Sequence, residues 1–156
     1  MLADIIEMRS AGDVLAAYWQ CWQRRDKAAT LALMTDDIVY ELFVPGDVVP
    51  FGGEAIGKAA VADRLQMMIE QFELLRYEGD LLGSSGTAAR GRVFIHVRHR
   101  MTGQEISVSM RQVAEVRGGL LAGLKIFTDV ESIRASMALV ANLGQSGPIW
   151  PTATAS

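Results

Sequence analysis

The sequence lacks the features that usually reveal a compartment. Its single cysteine, Cys21, excludes an intrachain disulfide and suits a reducing cytoplasm, which is where we expect this protein. No apolar run approaches the roughly 18 residues that a membrane span needs, so we expect no membrane association. The first ten residues carry acids where a signal peptide carries basic charge, which argues against export.

The chain also lacks the motifs of metal, nucleotide and nucleic-acid binding. It contains no HExxH, paired CxxC, P-loop or GxGxxG, so we expect neither a metal nor a cofactor. His96 and His99, three apart on a strand, point to opposite faces and cannot readily chelate one metal. The net charge is −3, and the arginines near positions 90–100 alternate with apolar residues instead of forming a basic block. We therefore expect no nucleic-acid partner.

What the chain does contain is apolar side chains. Half of its 156 residues are hydrophobic, which is too many for a disordered chain and enough for a real core. We predict a single domain over residues 1–143. Residues 144–156, rich in Gly, Pro, Ser and Thr, are predicted to be a flexible tail, and its exception Trp150 is expected to dock over a pocket or on a partner subunit.

Helical spacing of apolar residues predicts a helix over 12–25, with Leu15, Tyr18, Trp19 and Trp22 on one face. Further helices are predicted over 26–34, capped by Asp26, over 57–72, and over 131–143, capped by Asp129 or Ser132. Strand patterns cover 37–44, 72–85, 89–101, 104–116 and 120–130. This order predicts an α+β fold in which a curved, mostly antiparallel sheet wraps around the N-terminal helices as a cone.

A hairpin between the third and fourth strands assigns side chains to faces. If Thr102 and Gly103 form a two-residue turn, Val93 pairs with Gln112. The apolar face then carries Val93, Ile95, Val97, His99, Ile106, Val108, Met110, Gln112, Ala114 and Val116. The opposite, convex face carries Phe94, His96, Arg98, Ser109 and Arg111. We predict that this face forms a homodimer, the alternative being a solvated sheet face.

Two polar side chains lie on the apolar face of the hairpin, and two tyrosines on other elements can face the same interior. His99 and Gln112 either satisfy local hydrogen bonds or contact a ligand, and the same alternatives hold for Tyr18 and Tyr40. Their convergence on one apolar space is typical of a small-molecule site. Asp37, in a turn, and Asp129, at a helix start, are interpreted as solvated caps and kept as reserve bases.

Three stretches together resemble a known family: "YWQCWQRRDKAATLALMTDDIVYE", "PFGGEAIGKAAVADRL" and "RHRMTGQEISVSMRQVAEVRGGLLAGLKIFTD". They are similar to SnoaL-like (polyketide cyclase-like) bacterial proteins of the nuclear transport factor 2-like, or ketosteroid isomerase-like, superfamily. The resemblance covers about residues 10–135. It implies a cone-shaped α+β fold with a deep apolar pocket, and it implies a homodimer.

The resemblance also implies positions for family site residues. Tyr18 stands at the position of the helix-1 tyrosine that ketosteroid isomerases use as an oxyanion donor. Gln112 stands at the position of their second oxyanion donor, and Leu42 at the position of their general base. Tyr40 matches the tyrosine of limonene epoxide hydrolases. Leu42 stands where those hydrolases have an asparagine, and Ile126 stands where they have one of their acids. The positions of the family's usual bases are therefore occupied by hydrocarbon side chains.

Two functions are consistent with this pattern. The first is a cofactor-free isomerase, cyclase or hydratase of a small apolar or aromatic molecule, with His99 as acid or base and Tyr18, Tyr40 and Gln112 as orienting donors. The second is a non-catalytic protein that binds a small hydrophobic ligand. In either case the residues expected to contact that molecule are Gln112, Leu42, Trp22, Ile95, Val97, Met110 and Ile126.

Overall fold

The computed structural model describes residues 9–146, which begin with two helices joined by a tight turn. Helix α1 (Ala11–Gln23) starts in a capping box, in which the Ser10 hydroxyl accepts from the Asp13 amide at 3.0 Å. Helix α2 (Lys27–Ala32) is capped by Asp26, whose carboxylate accepts from the Ala29 amide at 3.0 Å. The predicted Asp26 cap is confirmed.

Six strands form one sheet in the order β2-β1-β6-β5-β4-β3. The strands are β1 (Met34–Leu42), β2 (Gly53–Ile56), β3 (Phe72–Ser85), β4 (Ala88–His99), β5 (Glu105–Arg117) and β6 (Leu120–Thr128). All neighbouring pairs are antiparallel except β1 and β6, which run parallel. The predicted α+β fold with a curved, mostly antiparallel sheet is confirmed, and the sheet is not closed into a barrel.

Helices cover the concave face of this sheet. Helix α1 packs across β3, β4, β5 and β6, while α3 (Lys58–Gln71) packs on β1, β2 and β3. Helix α4 (Val130–Ser146) follows β6 and packs its Ile133, Met137 and Val140 into the core clusters. Register shifts within β3 lie between Leu74 and Arg76 and between Leu81 and Gly83. Such bulges bend a strand and increase its twist, which lets the long outer strands curl around α1.

The hairpin between β4 and β5 corrects one prediction. The turn spans five residues, 100–104, instead of the two residues Thr102 and Gly103. Val93 consequently pairs with Met110, and Gly91 instead of Val93 pairs with Gln112. This register differs from the predicted one by two residues. Because side chains alternate with a period of two, the predicted faces are preserved.

Two other features differ from expectation. The four-residue strand β2 has too few residues to show a period and was not predicted; it pairs with β1 through Tyr40 and Ala55. Helix α4 runs to Ser146, three residues into the predicted tail. Trp150 lies outside the described residues. None of the helices within residues 9–146 has the length and apolar character needed to cross a bilayer.

Candidate functional site

A cavity of about 300 Å³ lies between the concave face of the sheet and helices α1, α3 and α4. Its size falls at the lower end of the usual range for small-molecule sites. Most of its wall is aliphatic or aromatic. The wall includes every apolar residue expected to contact a ligand, namely Leu42, Trp22, Ile95, Val97, Met110 and Ile126.

All three tyrosines of the chain line this cavity. Tyr18 comes from α1, Tyr40 from β1 and Tyr77 from β3, so elements far apart in the sequence bring them together. Burial raises the pKa of Tyr18 to about 12, although the nearby Trp22 and Tyr40 side chains lower it in part. Burial likewise holds the pKa values of Tyr40 and Tyr77 well above the ordinary value. All three therefore remain neutral hydrogen-bonding groups at physiological pH.

Tyr77 is the tyrosine with the least satisfied hydroxyl. Its ring stacks on Trp22, with the ring centroids 6.0 Å apart and the planes 5° apart. The Gln112 amide is close enough to offset part of the rise in the Tyr77 pKa. Even so, the buried Tyr77 Oη makes no hydrogen bond of normal geometry to any described residue. A buried hydroxyl without a partner costs about 1–3 kcal/mol, so this atom is a natural contact for a bound molecule.

Gln112 lines the cavity in a fixed orientation. Its Oε1 accepts a 2.8 Å hydrogen bond from Trp19 Nε1, and its side chain is 2% exposed. Since an indole nitrogen can only donate, this bond assigns the amide oxygen to Trp19 and leaves the amide nitrogen for other partners. Within residues 9–146, Nε2 has one acceptor, the weakly accepting Met110 Sδ at 3.6 Å. Gln112 can therefore donate to a ligand oxygen.

Two glycines in the middle of strands make room for the Trp19 ring. A Cβ at Gly79 on β3 or at Gly91 on β4 would overlap the indole. Gly91 is also the cross-strand partner of Gln112, so the ring that lies over Gly91 ends with its nitrogen beside the amide. The two interior strand glycines are the sequence signal for this close approach.

The proposed acids and bases lie elsewhere. His99 is half-buried at the end of β4, where its Nδ1 is 3.2 Å from Thr102 Oγ1 and its ring meets Phe72 edge-on; it is not part of the cavity wall. Asp129 caps α4, accepting from the Ser132 amide at 3.2 Å, and Asp37 pairs with Arg117. Neither carboxylate lines the cavity. These positions do not support acid–base roles inside the cavity.

Among the residues that line the cavity, the one carboxylate is that of Asp26, which is exposed and capping α2. In the described part of the chain, no three His, Cys, Asp or Glu side chains gather as metal ligands would. The interior can thus orient a molecule and donate hydrogen bonds to it. No carboxylate or imidazole of the described residues lies inside the cavity to abstract a proton.

Sequence reasoning missed three parts of this site: Tyr77, the Trp19–Gln112 pair and the charged mouth formed by Arg25, Lys27 and Arg100. The strand pattern places Tyr77 on one face of β3, but the face that meets the cavity depends on how the sheet curves. Trp19 and Gln112 are 93 residues apart. No local pattern in a single sequence pairs them.

Residues 15–124 match the family model described as the SnoaL-like domain. No curated protein sequence matches the chain. Among solved structures, a nuclear transport factor 2-like protein of unknown function from Burkholderia pseudomallei superposes with a TM-score of 0.73 at 16% identity, covering 83% of this chain and 98% of that one.

Two further structures carry names that suggest reactions. One is called a "putative isomerase" from Rhodopseudomonas palustris, with a TM-score of 0.69 and 23% identity over 80% of this chain and 92% of that one. The other is called a "putative polyketide cyclase" from Xanthomonas campestris pv. campestris, with a TM-score of 0.67 and 22% identity over 81% of this chain and 96% of that one. At such identities the likeness is one of fold.

Proposed function

The chain belongs to the SnoaL-like domain family of the nuclear transport factor 2-like superfamily, and from this premise we propose that its cavity binds a small apolar or aromatic molecule bearing one oxygen acceptor. The observation that carries the proposal is the content of the cavity. An apolar wall surrounds neutral hydrogen-bonding groups, and one of them, Tyr77 Oη, has no partner among the described residues.

The energetics favour a ligand with an oxygen at its inner end. The hydrocarbon part gains about 25 cal/mol for each Å² of apolar surface that it buries. A carbonyl or phenolic oxygen accepts from Gln112 Nε2 and Tyr77 Oη, which otherwise lack strong acceptors. Because Trp19 holds the amide of Gln112, the donors are oriented before the ligand arrives. A hydrocarbon without oxygen leaves them unsatisfied and binds less tightly.

A second function, cofactor-free isomerisation or cyclisation, is favoured by the surroundings of Tyr18. Trp22 and Tyr40 lie beside its oxygen, and its pKa of about 12 keeps it a donor at neutral pH. Such a donor stabilises the negative charge that develops on a carbonyl oxygen during enolisation. The proton leaves the carbon next to that carbonyl and passes to water, because the described wall offers no interior carboxylate or imidazole.

Binding is tested by calorimetry with 2-tetralone and with tetralin, which has the same rings and no oxygen. We expect 2-tetralone to bind more tightly, and we expect Gln112→Leu and Tyr77→Phe to reduce that preference. Val113→Ala, on the opposite face of the sheet, is the control. Equal binding of the two compounds, or a preference that survives both variants, would contradict the proposal.

Catalysis is tested by following deuterium exchange at the carbon next to the 2-tetralone carbonyl in D₂O by NMR. An oxyanion donor contributes about 10²–10³ in rate, so Tyr18→Phe should slow any enzyme-dependent exchange strongly. If 2-tetralone binds tightly but its exchange is no faster than in buffer, the catalytic function is contradicted. The ligand-binding function then stands.

A further inference from the structure

The mouth of the cavity carries an excess of positive charge. Arg25, Lys27 and Arg100 line the cavity where the wall reaches solvent. The lining contains one opposing carboxylate, that of Asp26, which already caps α2. The chain as a whole has a net charge of −3, so the mouth has the opposite sign to the molecule around it.

Neutral groups hold these three cations in place. Arg25 Nη2 donates to the Leu74 carbonyl at 2.8 Å, and Arg100 Nε donates to the Ile69 carbonyl at 2.8 Å. Lys27 Nζ donates to Gln66 Oε1 at 2.9 Å. These acceptors all lie where α3 passes into β3, so the three charges are anchored around one corner of the mouth. Within residues 9–146, none of the three is within ion-pair distance of an acid.

The backbone at Arg25 is a second, independent observation. Arg25 has φ +54°, and it is the one residue other than glycine with a positive φ in the described chain. This left-handed conformation disfavours arginine and is usually taken by Gly, Asn or Asp. It turns the chain from α1 into α2 and directs the Arg25 side chain to β3 at the mouth. Strained residues of this kind concentrate at functional sites.

We infer that the mouth recognises an anionic group, so that the molecule bound in the cavity is an amphipathic carboxylate or similar acid. Its apolar body enters the cavity and its anionic end stays at the mouth beside Arg25, Lys27 and Arg100. This inference rests on the proposed binding function and adds the charge of the ligand to it. Arg25 also donates from Nη1 to the Gln23 carbonyl at 2.6 Å, so it is held by two carbonyls and Arg100 by one. Each guanidinium still has further N–H donors for a carboxylate.

The test compares two probes of equal shape, 2-naphthylacetate and 2-naphthylacetamide, by calorimetry at low and high salt. We expect the acid to bind on the order of fivefold more tightly at low salt, since exposed ion pairs contribute modestly and three cations act together. The preference should shrink at high salt, because salt screens charges at the surface. The affinity for the amide reports binding in the cavity alone. The difference between the two affinities reports the contribution of the cations at the mouth.

Variants assign the preference to the mouth. Arg100→Gln and Arg25→Asn should each reduce the preference for the acid with little change in amide binding; Asn is chosen because it tolerates the left-handed conformation. Arg90→Gln changes the net charge equally on an exposed residue that does not line the cavity, and should leave the preference intact. Equal binding of both probes, or an effect of Arg90→Gln as large as that of Arg100→Gln, would overturn the inference alone. Binding of neither probe, in a protein that binds 2-tetralone, would likewise overturn the inference and leave the proposed function standing, because the proposed function is tested by 2-tetralone and tetralin.

Discussion

At the scale of single residues, the cavity is defined by side chains that stay neutral. Tyr18, Tyr40 and Tyr77 are buried, and burial disfavours the phenolate of each. Gln112 cannot ionise. The charged side chains of the lining, Arg25, Asp26, Lys27 and Arg100, are set at its edge, where water reaches them. This separation suits a molecule whose polar ends differ in charge.

The tyrosine pKa values predict an alkaline limit to stability. The folded-state pKa of Tyr18, about 12, exceeds its ordinary value of 10.0, so above pH 10 the folded state keeps a proton that the unfolded chain loses. The free energy of unfolding should be insensitive to these groups below pH 10. Between pH 10 and 12 it should fall, by about 1.4 kcal/mol per pH unit for each tyrosine.

Phenolate absorbance measures this effect directly, because the chain has no other tyrosine. In the native protein we expect almost no phenolate near pH 10 and a late rise that coincides with unfolding. In guanidinium chloride the midpoint should return to about 10. A native titration in which one third of the signal has a midpoint near 10 would show that one of the three is not buried.

At the scale of elements, the packing of α1 on the sheet depends on the contact between Trp19 and two strands. The ring lies over Gly79 of β3 and Gly91 of β4 and ends at Gln112 of β5. One side chain therefore ties a helix to three strands. The same contact orients the Gln112 amide, so helix packing and site geometry are coupled.

Gly91→Ala should be strongly destabilising, since its Cβ would overlap the Trp19 ring and force either the helix or the strand to move. Overpacking of this kind costs about 1–3 kcal/mol or more. Chemical denaturation measures the loss. Gly83→Ala, in the neighbouring strand β3, is the matched control, because its Cβ would meet nothing closer than Arg90 Nε at 3.5 Å. Similar losses for the two variants would contradict the role of Trp19.

Helix α4 gives a second prediction at this scale. Asp129 caps its first turn, so Asp129→Ala should lower the free energy of unfolding by about 1 kcal/mol. Asp129→Ser supplies another capping hydroxyl and should recover most of that stability. Both variants should keep any activity toward 2-tetralone that the parent protein has. Activity lost in Asp129→Ser despite normal stability would identify Asp129 as a base after all.

At the scale of the whole molecule, we propose that the outer face of the sheet, opposite α1, forms a homodimer. The polar side chains of this face already have partners within the chain. His96 contacts Ser107 and Glu105, at 2.8 and 2.6 Å, and Arg98 pairs with Glu73. The apolar part lies nearer the other edge, where Phe43 and Phe127 stack with centroids 4.5 Å apart and remain 38% and 37% exposed. Exposed stacked aromatics of this kind are typical of interfaces.

Light scattering at micromolar concentration tests this proposal. We expect a mass of twice 17.0 kDa for the parent chain and a monomer for Phe127→Asp. The sequence pattern includes Phe94 in the interface, and Phe94→Asp tests that alternative arrangement. Phe94 is half-buried beside Arg76, so we expect it to have the smaller effect. A parent mass near 17.0 kDa would end the dimer proposal.

The sequence alone determined the order of the helices and of five strands, the faces of β4 and β5, the Asp26 cap and the family, because periodicity, capping and motif order are local properties of a chain. Tertiary structure decided the hairpin register and the strand β2, since pairing depends on loop geometry and partner strands. It also decided that His99 lies at a turn, while Tyr77, Trp19 and Gln112 converge. Such convergence depends on how far the bulged sheet curves around α1, and no pattern within a single strand or helix encodes that curvature.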